Sequence, residues 1–369
     1  MKILVDLTYI HEEYDTGLAN SAFNLLSGMR EAGYADRVAL LVEQGFESGF
    51  ADRIEGFRTI PVRSRFISGL PFTRSFIMRR QLEDIIRKGG YRILLSPYMY
   101  DRSLTTNLVP CVGVIHDTYQ FEKQKSYLHK LRFRLGAVRA CNRLCRIVTI
   151  SQCAKERIEA LGYLKAPVEV IYNSITSTAD PAAKEVPKVP YILNVNTILP
   201  HKNLITLVRA LALIKDSIPH RLVVKGRRTS YWNNTIAPFL KAEGLESRVE
   251  LIERGLSRQE MDRLYVNADI FVTPSMMEGF GMTPIEAALA GVPVICNELP
   301  TLVESTRGLA TYYSPASDAH ALAEAIMRTL EDREQNGAAA IRQEYRQAYS
   351  PILQARSYIK LFETLLEER

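Results

Sequence analysis

Apolar residues fall along this chain in short runs separated by stretches of helical periodicity. Residues 3–7, 38–42, 92–96, 111–115, 147–150 and 168–172 are brief runs dominated by Val, Ile and Leu. That is the pattern of parallel strands covered on both faces. Between them, 18–32, 71–88 and 125–144 read as helices, with a basic face on 71–88. Ser151 stands where it would cap the helix after 147–150. Residues 173–190 then turn rich in Ser, Thr, Ala and Pro and lose apolar periodicity after Ile175, as a linker does. A second alternation opens at 191–195 and continues through 222–225, 249–252, 270–272, 292–296 and 309–313. Ser350-Pro351 reads as an N-cap and first helical residue. The terminal helix that follows carries a broad apolar face, from Ile352 and Leu353 through Tyr358, Ile359, Leu361 and Phe362 to Leu365 and Leu366. The pattern predicts an α/β protein of two domains, 1–187 and 188–350, each a parallel sheet covered by helices.

Composition agrees with two cores: 369 residues, 47% hydrophobic and 24% charged. No apolar run reaches the ~18 residues that span a bilayer. Met1-Lys2 leads straight into a strand interrupted by Asp6, so no signal peptide is read and a cytoplasmic location is expected. Cysteines 111, 141, 145, 153 and 296 lack paired C-x-x-C spacing and read as reduced thiols. Cys141 and Cys145 lie one helical turn apart, which fits core packing better than a metal site. The net charge of +6 sits wholly in residues 1–187, while 188–369 balance to zero. Residues 123–157 hold ten basic side chains against one acidic, Glu156. Two readings stand: solvated helix faces, or a surface for an anionic partner such as a lipid diphosphate, an acidic glycan or the inner face of a membrane. Nucleic acid is not expected, since no recognition module accompanies a pI of about 9.0.

The densest chemistry is Glu278-Gly-Phe-Gly-Met-Thr-Pro-Ile-Glu286, two carboxylates bracketing a glycine turn. A buried strand precedes it and a helix with proline in its first turn follows, a combination that makes an anion site. Backbone N–H groups of Gly281, Met282 and Thr283 are placed to face a diphosphate. Glu286 lies further into the helix, where a carboxylate accepts bonds from a ribose diol. Glu278 stands just before the turn, where the sugar beyond the phosphates would lie.

This E-G-F-G-x-x-x-x-E pattern, with Ala290-Gly-Val-Pro-Val-Ile295 behind it, resembles the retaining glycosyltransferases of family 4. The resemblance implies the GT-B fold, two Rossmann-like domains facing a central cleft, with the last helix crossing back to the N-terminal domain. It implies further sites. Asn196-Thr-Ile-Leu-Pro-His-Lys-Asn203 is similar to the family segment whose lysine, here Lys202, meets the donor diphosphate. Many members carry Gly-Arg where this chain has Asn196-Thr197. Thr197 supplies only a hydroxyl, and Arg227 and Arg228 are candidate replacements for the lost charge. His116-Asp117 resembles the His-Asp at the sugar side of the cleft, with His116 near the reaction centre. Asp15-Thr16-Gly17 corresponds to a loop near diphosphate and acceptor, of which Gly17 remains. Glu253-Arg254-Gly255-Leu256 corresponds to the turn that passes the base.

No Asp-x-Asp, Walker A, G-x-S-x-G or H-E-x-x-H occurs, so kinase, esterase and metalloprotease readings lose support and no metal is expected. The resemblance implies a metal-independent hexosyltransferase with no bound cofactor. Its donor would be a nucleotide-diphosphate sugar, GDP-mannose first, and its acceptor a hydroxyl of a glycan or lipid-linked saccharide in cell-surface polysaccharide or glycolipid synthesis. His116, Lys202 and Glu278 would serve catalysis. Gly17, Thr197, Lys202, Arg227, Gly281, Met282, Thr283 and Glu286 would hold the donor. The alternatives are a nucleotide-sugar epimerase or glycan phosphorylase on the same fold, or a non-catalytic binder of nucleotide sugars or acidic glycans.

Overall fold

The computed structural model describes all residues except 11–16, 46, 63–70, 100–104, 119–133, 186 and 333–336. The chain divides into two compact units, Met1–Ser174 with Tyr349–Arg369, and Ile175–Ala348.

The first unit holds β1 (Ile3–Asp6), α1 (Gly17–Glu31), β2 (Val38–Glu43), β3 (Arg58–Val62), α2 (Pro71–Gly89), β4 (Ile93–Ser96), β5 (Cys111–Ile115), β6 (Arg146–Thr149), α3 (Gln152–Ala160) and β7 (Val168–Val170). The strands form one parallel sheet in the order β3-β2-β1-β4-β5-β6-β7. β1, β4 and β5 are buried at every position, which is why they read as short apolar runs, with buried Asp6 and Ser96 closing β1 and β4. β3 was not legible as a strand. It lies at the edge, exposes Arg58 and Thr59, and carries Pro61, which an edge strand tolerates. The helix expected over 125–144 lies in its first part outside the described residues. Its remainder is a π-helical turn, Arg134–Val138, running into Arg139–Cys141. Cys141 is buried in the sheet-covering core beside Leu144 and Ile147. Ser151 caps α3 as expected, its Oγ accepting from the Ala154 amide at 3.0 Å.

The second unit holds β8 (Tyr191–Val195), α4 (Leu204–Ile214), β9 (Arg221–Lys225), α5 (Ala237–Ala242), β10 (Val249–Ile252), α6 (Arg258–Val266), β11 (Ile270–Thr273), α7 (Met282–Leu289), β12 (Val294–Asn297), α8 (Pro300–Ser305), β13 (Thr311–Tyr313), α9 (Ala319–Glu331) and α10 (Ala338–Ala348). Its sheet is also parallel, in the order β10-β9-β8-β11-β12-β13. The core between sheet and helices is built on Leu207, Leu211, Leu222, Val224, Ile270, Val272, Leu322 and Ile326.

The chain passes between units at Ser174/Ile175, not at the expected 187/188. Residues 175–185 are polar yet packed on the second unit. Thr178 bonds Asp262, Lys184 reaches the Ala268 carbonyl at 3.3 Å, and the Glu185 amide bonds Asn267 at 2.8 Å. A polar segment fixed by side-chain hydrogen bonds has no apolar period to betray it. The last helix, α11 (Pro351–Glu367), belongs to the first unit and packs on α1. Gly28 of α1 permits this: a Cβ there would lie 2.0 Å from the Pro351 carbonyl oxygen. Gln354 accepts from Ser174 at 2.6 Å, and Asn24 of α1 donates to the Ser174 carbonyl at 3.0 Å. Ser350 occupies the N-cap position but makes no side-chain capping bond.

Candidate functional site

In a doubly wound sheet, ligands sit beyond the carboxyl ends of the strands where the winding order reverses. In the second unit that point lies between β8 and β11. The loops after these two strands are tied together. The Met276 amide donates to the His201 carbonyl at 2.8 Å. Asn203 adopts the left-handed region (φ 56°) between a 3-10 turn, Pro200–Lys202, and the start of α4. Its Nδ2 donates to the carbonyls of Pro274 (3.1 Å) and Ala316 (2.7 Å), and its Oδ1 accepts from Thr206 (2.8 Å). Asparagine tolerates that backbone because its short amide bonds locally.

This stitching sets Lys202 against Glu278. Nζ lies 2.7 Å from Oε1, with only 17% and 13% of the two side chains exposed. Lys202 therefore precedes α4 rather than forming its first turn. Gly281 caps α7 in the left-handed region (φ 86°, ψ 63°). A Cβ there would lie 2.6 Å from Leu302 Cδ2. Glycine is required on both counts, of backbone and of space. α7 starts at Met282 and Thr283, and its third residue is Pro284, which has no N–H. The first-turn amides of this helix are accordingly those of Met282 and Thr283, next to Gly281.

Glu286 is half-buried one turn further in, and its Oε2 accepts from the Tyr265 hydroxyl at 2.7 Å. Burial pushes this carboxyl above the usual range, opposed by the Tyr265 bond and the Arg258 guanidinium and reinforced by Asp262. Burial and the neighbouring Glu286 raise the Tyr265 phenol well above its ordinary value. Tyr265 went unread in the sequence, because 21 residues separate it from its partner and its place on α6 looks like ordinary core.

Thr197 is exposed in the loop after β8. Gly226, after β9, is pressed on that loop: a Cβ there would lie 2.2 Å from the Asn196 carbonyl oxygen. Of the two candidate arginines behind it, Arg228 is engaged by Glu253 at 3.0 Å and lies over the Trp232 ring at 5.8 Å. Arg227 is exposed and pairs with no carboxylate among the described residues. Arg254 is held by Glu260 at 2.8 Å.

His116 and Gly17 belong to the first unit. Gly17 is the exposed first residue of α1, and Asp15-Thr16 before it lie outside the described residues. His116 follows β5, is buried, and has Nε2 2.9 Å from the Pro97 carbonyl oxygen. That contact fixes the tautomer: Nε2–H donates, and Nδ1 is left as an acceptor. Burial holds the imidazole below its ordinary pKa, although the Pro97 carbonyl and Asp117 pull the other way, so the ring is neutral near pH 7.

Among the described residues no helix is long and apolar enough to cross a membrane. Arg139 and Arg143 of the basic stretch are exposed.

Comparison with known proteins covers both units. Residues 16–178 match the family model described as Glycosyltransferase Family 4, and residues 177–347 match the model described as Glycosyl transferases group 1. The O-antigen chain mannosyltransferase RfbU of Salmonella typhimurium is 30% identical over 202 residues, 54% of this chain. The chain thus spans 56% of the length of that relative, and less of the next. Among solved structures, sucrose-phosphate synthase from Thermosynechococcus elongatus superposes with a TM-score of 0.75 at 18% identity, covering 100% of both chains. Anabaena Alr3699/HepE, solved with UDP-glucose, gives 0.72 at 16% identity, covering 99% of this chain and 100% of its own.

Proposed function

The chain belongs to glycosyltransferase family 4 and has the GT-B fold, and on that premise we propose that it transfers a hexose, mannose first, from a nucleotide-diphosphate sugar to a hydroxyl of a glycan or lipid-linked saccharide. The transfer retains the anomeric configuration and needs no metal. RfbU, a mannosyltransferase of O-antigen chains, supports the choice of sugar and of polysaccharide synthesis.

The observation that carries the reading is the Lys202–Glu278 pair at the switch point of the second sheet, beside the left-handed Gly281 cap of α7. A diphosphate there meets a cation and two backbone amides without a metal. As the glycosidic bond breaks, negative charge grows on the diphosphate, and groups already aimed at it lower the barrier without reorganising. Arg227 supplies the second charge that Thr197 lacks, and Thr197 adds a hydroxyl donor. Glu286, held by Tyr265, accepts from the ribose diol. Glu278 receives the sugar hydroxyls. On the first unit, His116 offers Nδ1 as an acceptor to a sugar hydroxyl. The leaving phosphate takes the acceptor proton, so no side chain acts as general base. No resident cofactor enters.

The test is a panel of GDP-, UDP- and dTDP-sugars scored by thermal shift, then by transfer. A ligand at 100 times its dissociation constant adds about 2.7 kcal/mol of apparent stability. The anomeric configuration of the product is read from proton couplings. Stabilisation by a GDP-sugar with an α-linked product is expected. Failure of every nucleotide sugar to stabilise the protein refutes the reading.

A further inference from the structure

The Glu286 carboxylate has two oxygens, and the protein engages one. Oε2 accepts from the Tyr265 hydroxyl at 2.7 Å, and the described residues bring no second donor to this carboxylate. A carboxylate accepts about four hydrogen bonds, so Oε1 stays open to the hydroxyls of a diol. Tyr265 is placed to hold that geometry. It stands near the end of α6, buried, with its ring 6.1 Å from that of Phe271 on β11. Burial and the facing Glu286 raise its phenol well above the ordinary value, so its hydroxyl remains a donor near neutral pH. The bond fixes the rotation of the Glu286 carboxyl plane.

One stripe of α6 sets the charge around this pair. Arg258, Asp262 and Tyr265 follow each other at the spacing of a single helix face. Arg258 and Asp262 lie 3.3 Å apart, and residues 175–185 hold both: Arg258 donates to the Thr176 carbonyl, and Thr178 donates to Asp262. Towards Glu286 their charges oppose each other, Arg258 favouring the carboxylate and Asp262 the acid. The other elements packed on α7 add no charge there. β11 and β12 carry no charged side chain, and burial keeps the Cys296 thiol of β12 neutral. On α10, Arg342 donates to the Leu289 carbonyl at 3.1 Å, Glu344 pairs with Arg307 at 2.8 Å, and Arg346 is exposed.

Tyr265 therefore acts on the charge of Glu286 as well as on its direction. Burial raises the carboxyl, and the Tyr265 bond opposes that rise. With Oε2 already accepting, an added proton sits on Oε1 and turns an acceptor into a donor. We propose that Tyr265 is a positioning residue of the nucleotide site, aiming Glu286 and keeping its carboxylate open as the acceptor of a ribose 2′,3′-diol. It thereby selects ribonucleotides over 2′-deoxynucleotides. That the ligand is a nucleotide rests on the transferase reading above.

The experiment titrates the full chain with GDP, UDP, their 2′-deoxy forms and dTDP by calorimetry over a series of pH values. Wild type, Tyr265→Phe and Glu286→Gln are compared. Tyr265→Phe keeps the ring against Phe271 and removes only the hydroxyl. Glu286→Gln supplies the baseline, since the pH dependence it retains comes from the nucleotide's own phosphate. The wild type binds a ribonucleotide about tenfold more tightly than its 2′-deoxy form, and above that baseline its affinity falls on acidification. Tyr265→Phe weakens the ribonucleotide about fivefold, weakens the deoxy form less, and moves the acid fall to higher pH, because the bond that lowered the carboxyl is gone. Equal losses for both forms with an unmoved pH course, or no loss at all, overturn the role and leave the transferase reading standing. Binding of dTDP and of neither ribonucleotide does the same. Binding of no nucleotide by the wild type overturns both.

Discussion

Replacing Lys202 by methionine separates what the Lys202–Glu278 pair does for the fold from what it does for the reaction. Methionine keeps the length of the side chain and removes its charge. Glu278, with 13% of its side chain exposed, is then left without its cation. Breaking a fully buried pair costs about 3–5 kcal/mol, and an exposed one about 0–1. Exposures of 17% and 13% place this pair between those limits, so about 2 kcal/mol is expected. For a unit the size of residues 175–348, that lowers its melting temperature by about 4–8 °C. The double variant Lys202→Met with Glu278→Gln removes both charges and recovers most of that loss, since a neutral pair carries no desolvation penalty. Activity behaves differently. Loss of a preorganised charge on the leaving diphosphate lowers turnover by about 100- to 1,000-fold, and the double variant does not restore it. The assay pairs thermal denaturation with nucleotide release from the best donor of the panel. A single variant with wild-type turnover would falsify the diphosphate role. Recovery of turnover in the double variant would reduce the pair to a structural clip.

Four further outcomes are expected. Gly281→Ala forces a side chain into the left-handed region and against Leu302; urea denaturation should show a loss of about 1–3 kcal/mol, together with weaker nucleotide binding, and an unchanged midpoint contradicts the geometry. Glu286 has a carboxyl raised by burial, so the folded state holds its proton more tightly than the unfolded chain. Its contribution is complete below the unfolded value of about 4.5 and is lost as pH rises through the folded one; Glu286→Gln should flatten that decline while raising the donor KM more than it lowers kcat. Turnover should persist in EDTA; loss that Mg²⁺ or Mn²⁺ restores contradicts the cationic phosphate site. Charge reversal at Arg139 and Arg143, both exposed, should lower cosedimentation with phosphatidylserine vesicles at low salt and leave nucleotide shifts alone; if neither salt nor reversal changes vesicle binding, the stretch is a solvated surface.

Much of the candidate site was legible because its residues are local in the chain. Glu278, Gly281, Met282, Thr283 and Glu286 lie on one strand–turn–helix passage, and their spacing shows which face the turn and which the helix. The structure gives the expected glycine turn its form, a left-handed cap at Gly281. The partners of these groups were not legible. Nothing near Glu286 announces Tyr265, and nothing near Lys202 announces that Asn203 pins the loop to Pro274 and Ala316. The choice between Arg227 and Arg228 likewise needed Glu253 and Trp232, which come from another strand end and the turn before α5.

The sequence by itself determined the α/β alternation, the two sheets and the terminal helix. Strands buried on both faces are predominantly apolar, and helices on a sheet are amphipathic, so composition and period record them directly. Only the tertiary structure revealed the edge strand β3, the packing of 175–185 onto the second unit, and the approach of α1 to α11 at Gly28. Each depends on side chains far apart in the chain, or on a carbonyl too close for a Cβ. Sequence period carries the burial of an element on its own axis. It does not carry the identity of what lies across from it, because that is fixed only when the sheet orders its strands and brings their loops to a common edge.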